Sequence, residues 1–295
     1  MSVEIREASA ADRSEVTALA LGRCPDTEPW MIDLLFTDSL AFDAYVVAVD
    51  GDEVVGFGYS GNIPGTPAPQ RSTYVAVAAT HDDAGLGSRI YRHCRDAQDE
   101  SVTDLRSRVF DDDPRSLAIA KHWGFEVSQR SITSRVELVD VTAPVPPDDV
   151  TLDAADDLAF PDDDAVEAMF AASQTNPEAR NNHLMTLAEI RKYVFPGERG
   201  IVCLARVDGV PAALCFAIAG DGGDDGSVAY TGVDPTFRGR GLGRLVKQHV
   251  HHRAHESGVV RLSTDNEEHN QGIRRLNDEM GFTTAYGVYR MRQLL

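Results

Sequence analysis

Residues 233–247 read VDPTFRGRGLGRLVK, and their types and spacing suit one kind of chemistry. Asp234-Pro235 breaks the strand pattern ending at Val233, and the glycines at 239, 241 and 243 lead into a helical pattern. Glycine lets backbone N–H groups converge without a Cβ in the way. A helix start adds unpaired N–H donors and the positive end of its dipole. With Arg238, Arg240 and Arg244 beside them, and Leu242 between the glycines, these residues make a cradle for a diphosphate. The closing Gly-Lys-Ser/Thr of a P-loop is missing, and G-x-G-x-G is not the G-x-G-x-x-G dinucleotide fingerprint.

Other chemistry-bearing residues carry less. His251 and His255 stand one helical turn apart, as helical metal ligands do, but no third ligand is evident, so no metal is expected and a solvated helix end is the simpler reading. Asp111–Asp113 and Asp162–Asp164 each precede a helical pattern and read as N-terminal caps.

The elements that must position the cradle occur twice. Gly85-Leu86-Gly87 returns as Gly241-Leu242-Gly243, and Trp123-Gly124-Phe125 as Met280-Gly281-Phe282. Each half reads as strand, two helices, three mostly antiparallel strands, helix, strand, helix, strand. Asp50-Gly51 and Asp208-Gly209 mark hairpins. Hairpins and helical crossovers together predict an α/β fold with a mixed sheet. The proline-rich stretch 139–150 reads as a linker, giving a first domain over 1–138 and a second over 151–295.

Composition limits the partners. The 295 residues carry 28 Lys+Arg against 47 Asp+Glu, a net charge of −19. Such a surface repels phosphates and anionic lipid, so nucleic acid and membrane surfaces are not expected partners. No run of about 20 apolar residues is present, the first residues do not read as a signal peptide, and the four cysteines form no C-x-x-C pair. A cytoplasmic protein without disulfides is expected, with Cys203 and Cys215 as buried thiols. The first 150 residues hold 13 Lys+Arg against 26 Asp+Glu and the remainder 15 against 21, so the half with the arginine loop is the less acidic.

The loop resembles the coenzyme A pyrophosphate loop of the GNAT acyltransferase superfamily, Arg/Gln-x-x-Gly-x-Gly/Ala, with Arg238, Gly241 and Gly243 in its three positions. A second block is similar to the family's Asn-x-x-Ala-x-x-Phe-Tyr-x-x-x-Gly-Phe spacing: Asn270, Ile273, Leu276, Asn277, Gly281 and Phe282. Asn266 and Asn270 further resemble a Thr-x-Asn-x-x-x-Asn subgroup. The resemblance covers both halves and implies two tandem GNAT-like domains with acetyl-CoA as acyl donor.

It further implies that the strand ending Tyr230-Thr231-Gly232-Val233 splays from its neighbour at a bulge, and that its backbone, around Val233, pairs with the pantetheine arm. An amine then attacks the thioester directly. Arg238 to Arg244, Asn270 and Asn277 are the expected cofactor contacts.

Asn277 stands where many members carry a tyrosine that protonates the departing thiolate. An amide supplies no proton at neutral pH, so Asn277 is expected to hold the cofactor, with Tyr286 or Tyr289 as acid. Candidate bases are His183, with Asn181 and Asn182 beside it, and Asp234 or Glu267. The first copy places Asp82 and Asp83 where the second has Arg238 and Gly239, and Ala120 opposite Asn277, so a single working site is expected. An acidic surface favours a cationic amine, small or peptidic, on a monomer or homodimer. The competing reading is a non-catalytic coenzyme A sensor or interaction module.

Overall fold

A computed structural model describes residues 3–23, 32, 34–36, 40–62, 69–174, 185–193, 199–219 and 223–295. The chain forms two compact units, Met1–Gln129 with Tyr289–Leu295, and Arg130–Val288.

The first unit contains β1 (Glu4–Glu7), α1 (Arg13–Arg23), β2 (Ala41–Asp50), β3 (Glu53–Asn62), β4 (Gln70–Val77), α2 (Leu86–Asp96), β5 (Asp104–Phe110) and α3 (Pro114–His122). The second contains β7 (Val150–Ala155), α4 (Asp163–Ser173), α5 (Leu187–Tyr193), β8 (Arg199–Val207), β9 (Val210–Ala219), β10 (Asp225–Val233), α6 (Leu242–Glu256), β11 (Arg261–Glu267) and α7 (Gln271–Glu279). Strands β6 (Glu126–Glu137) and β12 (Thr283–Leu294) each have residues in both units. The duplicated order read from the sequence is present. Of the second helix expected in the first half, Ile32 is helical and Leu34–Phe36 is a 3-10 turn, and the rest lies outside the described residues.

The compact units divide the chain elsewhere than at 139–150. Residues 131–137 of β6 pair antiparallel with β11, from Ser131↔Glu267 to Glu137↔Arg261, and so belong to the second unit. Met291 is fully buried in the first unit's cluster with Tyr91, Leu105 and Phe125. Pairing and burial outweigh the linker composition, which covers an irregular stretch inside the second unit.

Strand alternation explains the core of the second unit. Cys203, Ala205, Ala213, Cys215 and Ala217 face Leu242, Val246, Val250 and Ala254 of α6. Their neighbours Val202, Leu204, Leu214 and Phe216 face Val166, Met169 and Phe170 of α4. Period-two alternation sends consecutive residues to opposite sides, so both faces of β8 and β9 are buried. Small side chains on the α6 face let that helix pack close to the sheet. Each fully buried Leu, Val or Phe contributes about 1.5–3 kcal/mol. In the first unit, Val47 and Phe57 pack with Val16 and Ala20, while Val46, Ala48 and Val55 pack with Leu86, Ile90 and Cys94.

The cap readings hold at one triplet only. Asp113 accepts from Ser116 N at 2.9 Å. Asp162 instead spends both oxygens on Arg206, at 2.7 Å each, and Asp163 accepts from Phe160 N and Arg191. A guanidinium within reach is a stronger partner than one amide N–H.

Candidate active site

The fork between β10 and β11 is the feature that shapes the site. The two strands run parallel and pair only at Asp225↔Arg261, Gly226↔Leu262 and Ser227↔Ser263. Beyond Ser227 the pairing ends. On its other edge β10 pairs with β9, and the register shifts between Val228 and Tyr230, which leaves Ala229 as a bulge. A bulge adds one residue and bends the strand. The expected splay is therefore built into the backbone, and Tyr230–Val233 form one limb of a V whose other limb is the end of β11.

At the open end of that limb the loop takes the conformation its glycines allow. Gly239 and Gly241 have φ of +80° and +78°, and a Cβ on either would meet no atom within 4 Å. A Cβ on Gly243 would come within 3.3 Å of Val233 Cγ2. The first described α6 bond runs from Leu245 N to Gly241 O, so the N–H groups of Leu242, Gly243 and Arg244 precede any helical acceptor. Unpaired N–H groups at a helix start are donors of the kind that bind anions. Arg238 is exposed, and its Nε donates to Val233 O at 3.4 Å. The other two arginines are ion-paired, Arg240 with Asp149 and Arg244 with Glu279, which offsets part of the positive charge read from the sequence. Asp234 caps the following 3-10 turn by accepting from Thr236 N at 2.8 Å, and Asn270 caps α7 by accepting from Ile273 N at 3.4 Å. Glu267 is buried at the end of β11.

Asn277 is buried, with 2% of its surface exposed. Its Nδ2 donates to Asn266 Oδ1 at 2.7 Å, and its Oδ1 accepts from Lys247 Nζ. Lys247 is fully buried and lies over the Phe282 ring, 4.3 Å from the centroid. The sequence reading did not single it out. The available signal was its place on the apolar stripe of α6, one turn after Gly243 and one before His251. His251 is buried against Phe282 rather than solvated, and burial pushes its pKa down to about 3. No group of three or more candidate metal ligands occurs among the described residues.

Burial moves Lys247 down from its ordinary 10.5 to about 8, and the nearby Cys215 opposes that shift. A lysine depressed by folding binds its proton more tightly when unfolded. Stability should therefore rise as pH increases from about 8 towards 10.5, where the folded state has shed a proton that the unfolded chain keeps. Denaturant midpoints across that range should show the rise in the wild type and lose it in Lys247→Met, which should also be the more stable protein at pH 7.

On the opposite face of β10, Tyr230 packs between Phe170 and Phe216 and shares a hydrogen bond with Ser173 of α4. Its hydroxyl lies over Gly232, where a Cβ would come within 2.1 Å of it. Burial raises its pKa to about 12. Tyr286 instead meets Arg135, whose guanidinium lies 5.5 Å from the ring centroid, and Tyr289 packs with the first unit's cluster. Neither tyrosine is among the hydrogen-bonded partners of Asn277. His183, Asn181 and Asn182 lie outside the described residues.

The first copy keeps the loop's shape and reverses its chemistry. Asp83 and Gly85 have φ of +61° and +74°, matching Gly239 and Gly241. Asp82 is paired with Arg23 and Arg115, and Asp83 with Arg115. Arg23 Nε also donates to the strand-end carbonyl Val77 O at 2.5 Å. A Cβ on Gly87 would meet Trp123 at 3.6 Å. Strands β4 and β5 also part after three pairs, but β3 and β4 stay in one register with no bulge.

Residues 166–282 match the Acetyltransferase (GNAT) family. No curated protein sequence matches the chain. Among solved structures, a tandem GNAT protein from the clavulanic acid biosynthesis pathway is similar over 99% of this chain and 98% of its own, with TM-score 0.79 and 21% identity. A GCN5-related N-acetyltransferase from Sphaerobacter thermophilus is similar over 99% and 95%, with TM-score 0.76 and 16% identity. These likenesses concern the fold. The family match thus lies within the second copy, over residues 166–282, and the fold of the whole chain is similar to that of a tandem GNAT protein.

Proposed function

We propose that the protein is an acetyl-CoA-dependent N-acyltransferase with one active site, in the second copy. The observation that carries this reading is the pairing of a bulged, forked β10 with a left-handed glycine loop in the second copy only. The first copy has the loop shape without the bulge, and carboxylates where cations are needed. In the second, Arg238 and the N–H groups of Gly241 to Arg244 would hold the pyrophosphate, and the strand end around Val233 would take the pantetheine arm. The acyl carbonyl would then lie in the fork, where an amine attacks it directly and backbone N–H groups stabilise the developing oxyanion. The net charge of −19 favours a cationic acceptor.

Thiol release from acetyl-CoA across a panel of polyamines, aminoglycosides and lysine peptides tests the proposal. Acceptor-dependent release is expected for at least one cationic amine. Tight coenzyme A binding with no turnover on any amine would favour a sensor instead.

A further inference from the structure

A set of polar groups links the two limbs of the fork, two hydrogen bonds on the β11 side and one Cys–Thr contact on the β10 side. On the β11 limb, Asn266 Oδ1 holds Asn277 Nδ2 at 2.7 Å. Asn277 Oδ1 accepts from Lys247. Lys247 lies close enough to Cys215 that each influences the other's ionisation. Cys215 Sγ lies 3.3 Å from Thr231 Oγ1 on the β10 limb.

Two features of this set are costly unless used. An ammonium with no exposed surface carries up to three donors, and among the described residues its one hydrogen-bond acceptor is Asn277 Oδ1. A buried lysine is rare without a paired charge, and no carboxylate lies within ion-pair distance of it among the described residues. An ammonium has only donors, so it also fixes the amide: the Asn277 oxygen must face Lys247 and its NH2 must face away. One of those N–H groups is spent on Asn266, and the other has no partner among the described residues.

Acyl transfer from a thioester needs what this arrangement offers. The amine nitrogen forms the C–N bond, and the C–S electron pair leaves on sulfur as a thiolate. The proton lost by nitrogen passes to solvent, from which the thiolate is later protonated. An N–H donor backed by a buried cation favours the charged sulfur, and low local dielectric strengthens the effect.

We propose that Lys247 is a positioning residue for the leaving sulfur: it locks the Asn277 amide with its N–H toward the fork, and its charge favours departure as thiolate. This rests on the acyl-CoA reading above. Lys247 acts through Asn277 and through its field, without touching substrate. It supplies by charge and orientation what a proton donor at position 277 would supply by transfer.

The test is an ultraviolet pH titration of the thiolate of coenzyme A bound to the full-length protein, with coenzyme A lacking its sulfur as the blank. In the wild type the bound thiol should ionise about one pH unit below free coenzyme A. In Lys247→Met it should return to the free value, with coenzyme A affinity within about threefold and kcat lowered about tenfold, the rate equivalent of one pH unit. Asn277→Asp, which adds a carboxylate to neutralise the ammonium, should also move the thiol up. A wild-type thiol that titrates as free coenzyme A while bound overturns the inference, as does one that titrates alike in wild type and Lys247→Met. No binding of coenzyme A by the wild type would overturn the acyl-CoA reading and this inference together, whereas binding with an unshifted thiol sinks this inference alone.

Discussion

Arg238→Glu should weaken coenzyme A binding by about a hundredfold or more, because a charge-assisted hydrogen bond is lost and a like charge takes its place. Arg238 is exposed and sits at the rim of the loop, so the fold should lose no more than about 0.5 kcal/mol. Isothermal titration with coenzyme A beside a thermal melt separates the two quantities. The substitution copies what the chain itself carries at Asp82, where the same loop shape meets two arginines of its own instead of a phosphate. Asp82→Glu in the first copy is the control, and it should leave coenzyme A affinity unchanged within about twofold if the first loop takes no part. Equal affinity for the wild type and Arg238→Glu would remove the loop from the site.

Gly232→Ala should be the most damaging single-atom change in the second copy. Its Cβ would come within 2.1 Å of the Tyr230 hydroxyl and 2.8 Å of Ser173 Oγ, closer than real Cβ contacts run. Tyr230 is wedged between Phe170 and Phe216, so the ring has little freedom to yield and the strand must move instead. Overpacking of this kind costs about 1–3 kcal/mol. The movement falls on the limb that ends at Val233, and misplacing reacting groups by about 1 Å costs on the order of a hundredfold in rate. A denaturant midpoint that drops together with kcat is expected. An unchanged kcat with lowered stability would show that the β10 limb is not part of the acceptor site.

Much of this was readable from residue order. The duplicated elements follow from hydrophobic period and turn residues, which act over a few positions. The Asp208-Gly209 hairpin has both turn residues at positive φ, 48° and 82°, as its sequence suggests. The loop also follows its sequence, because left-handed backbone favours the glycines found at 239 and 241. Asp83 takes the same conformation without being glycine, so the first copy has the shape without the cations. The side-chain jobs were less legible. Arg240 and Arg244 read as cradle donors, yet Asp149 and Glu279, 91 and 35 residues away in sequence, take them as partners. Tyr286, read with Tyr289 as a candidate acid, lies beside Arg135, a neighbour its sequence position did not reveal.

By itself, then, the sequence determined the α/β class, the duplication, the left-handed glycine loop with its arginines in the second copy and the carboxylates that replace them in the first. Those depend on local backbone preference and on charge, which neighbouring residues settle among themselves. Tertiary structure alone decided the bulge at Ala229, the exchange of strand ends between units, and the burial of Lys247 under Asn277. Each of these depends on which distant strand or helix supplies the partner. The free energy of a buried charge or a shifted register is set by that partner, not by the residues beside it in the chain.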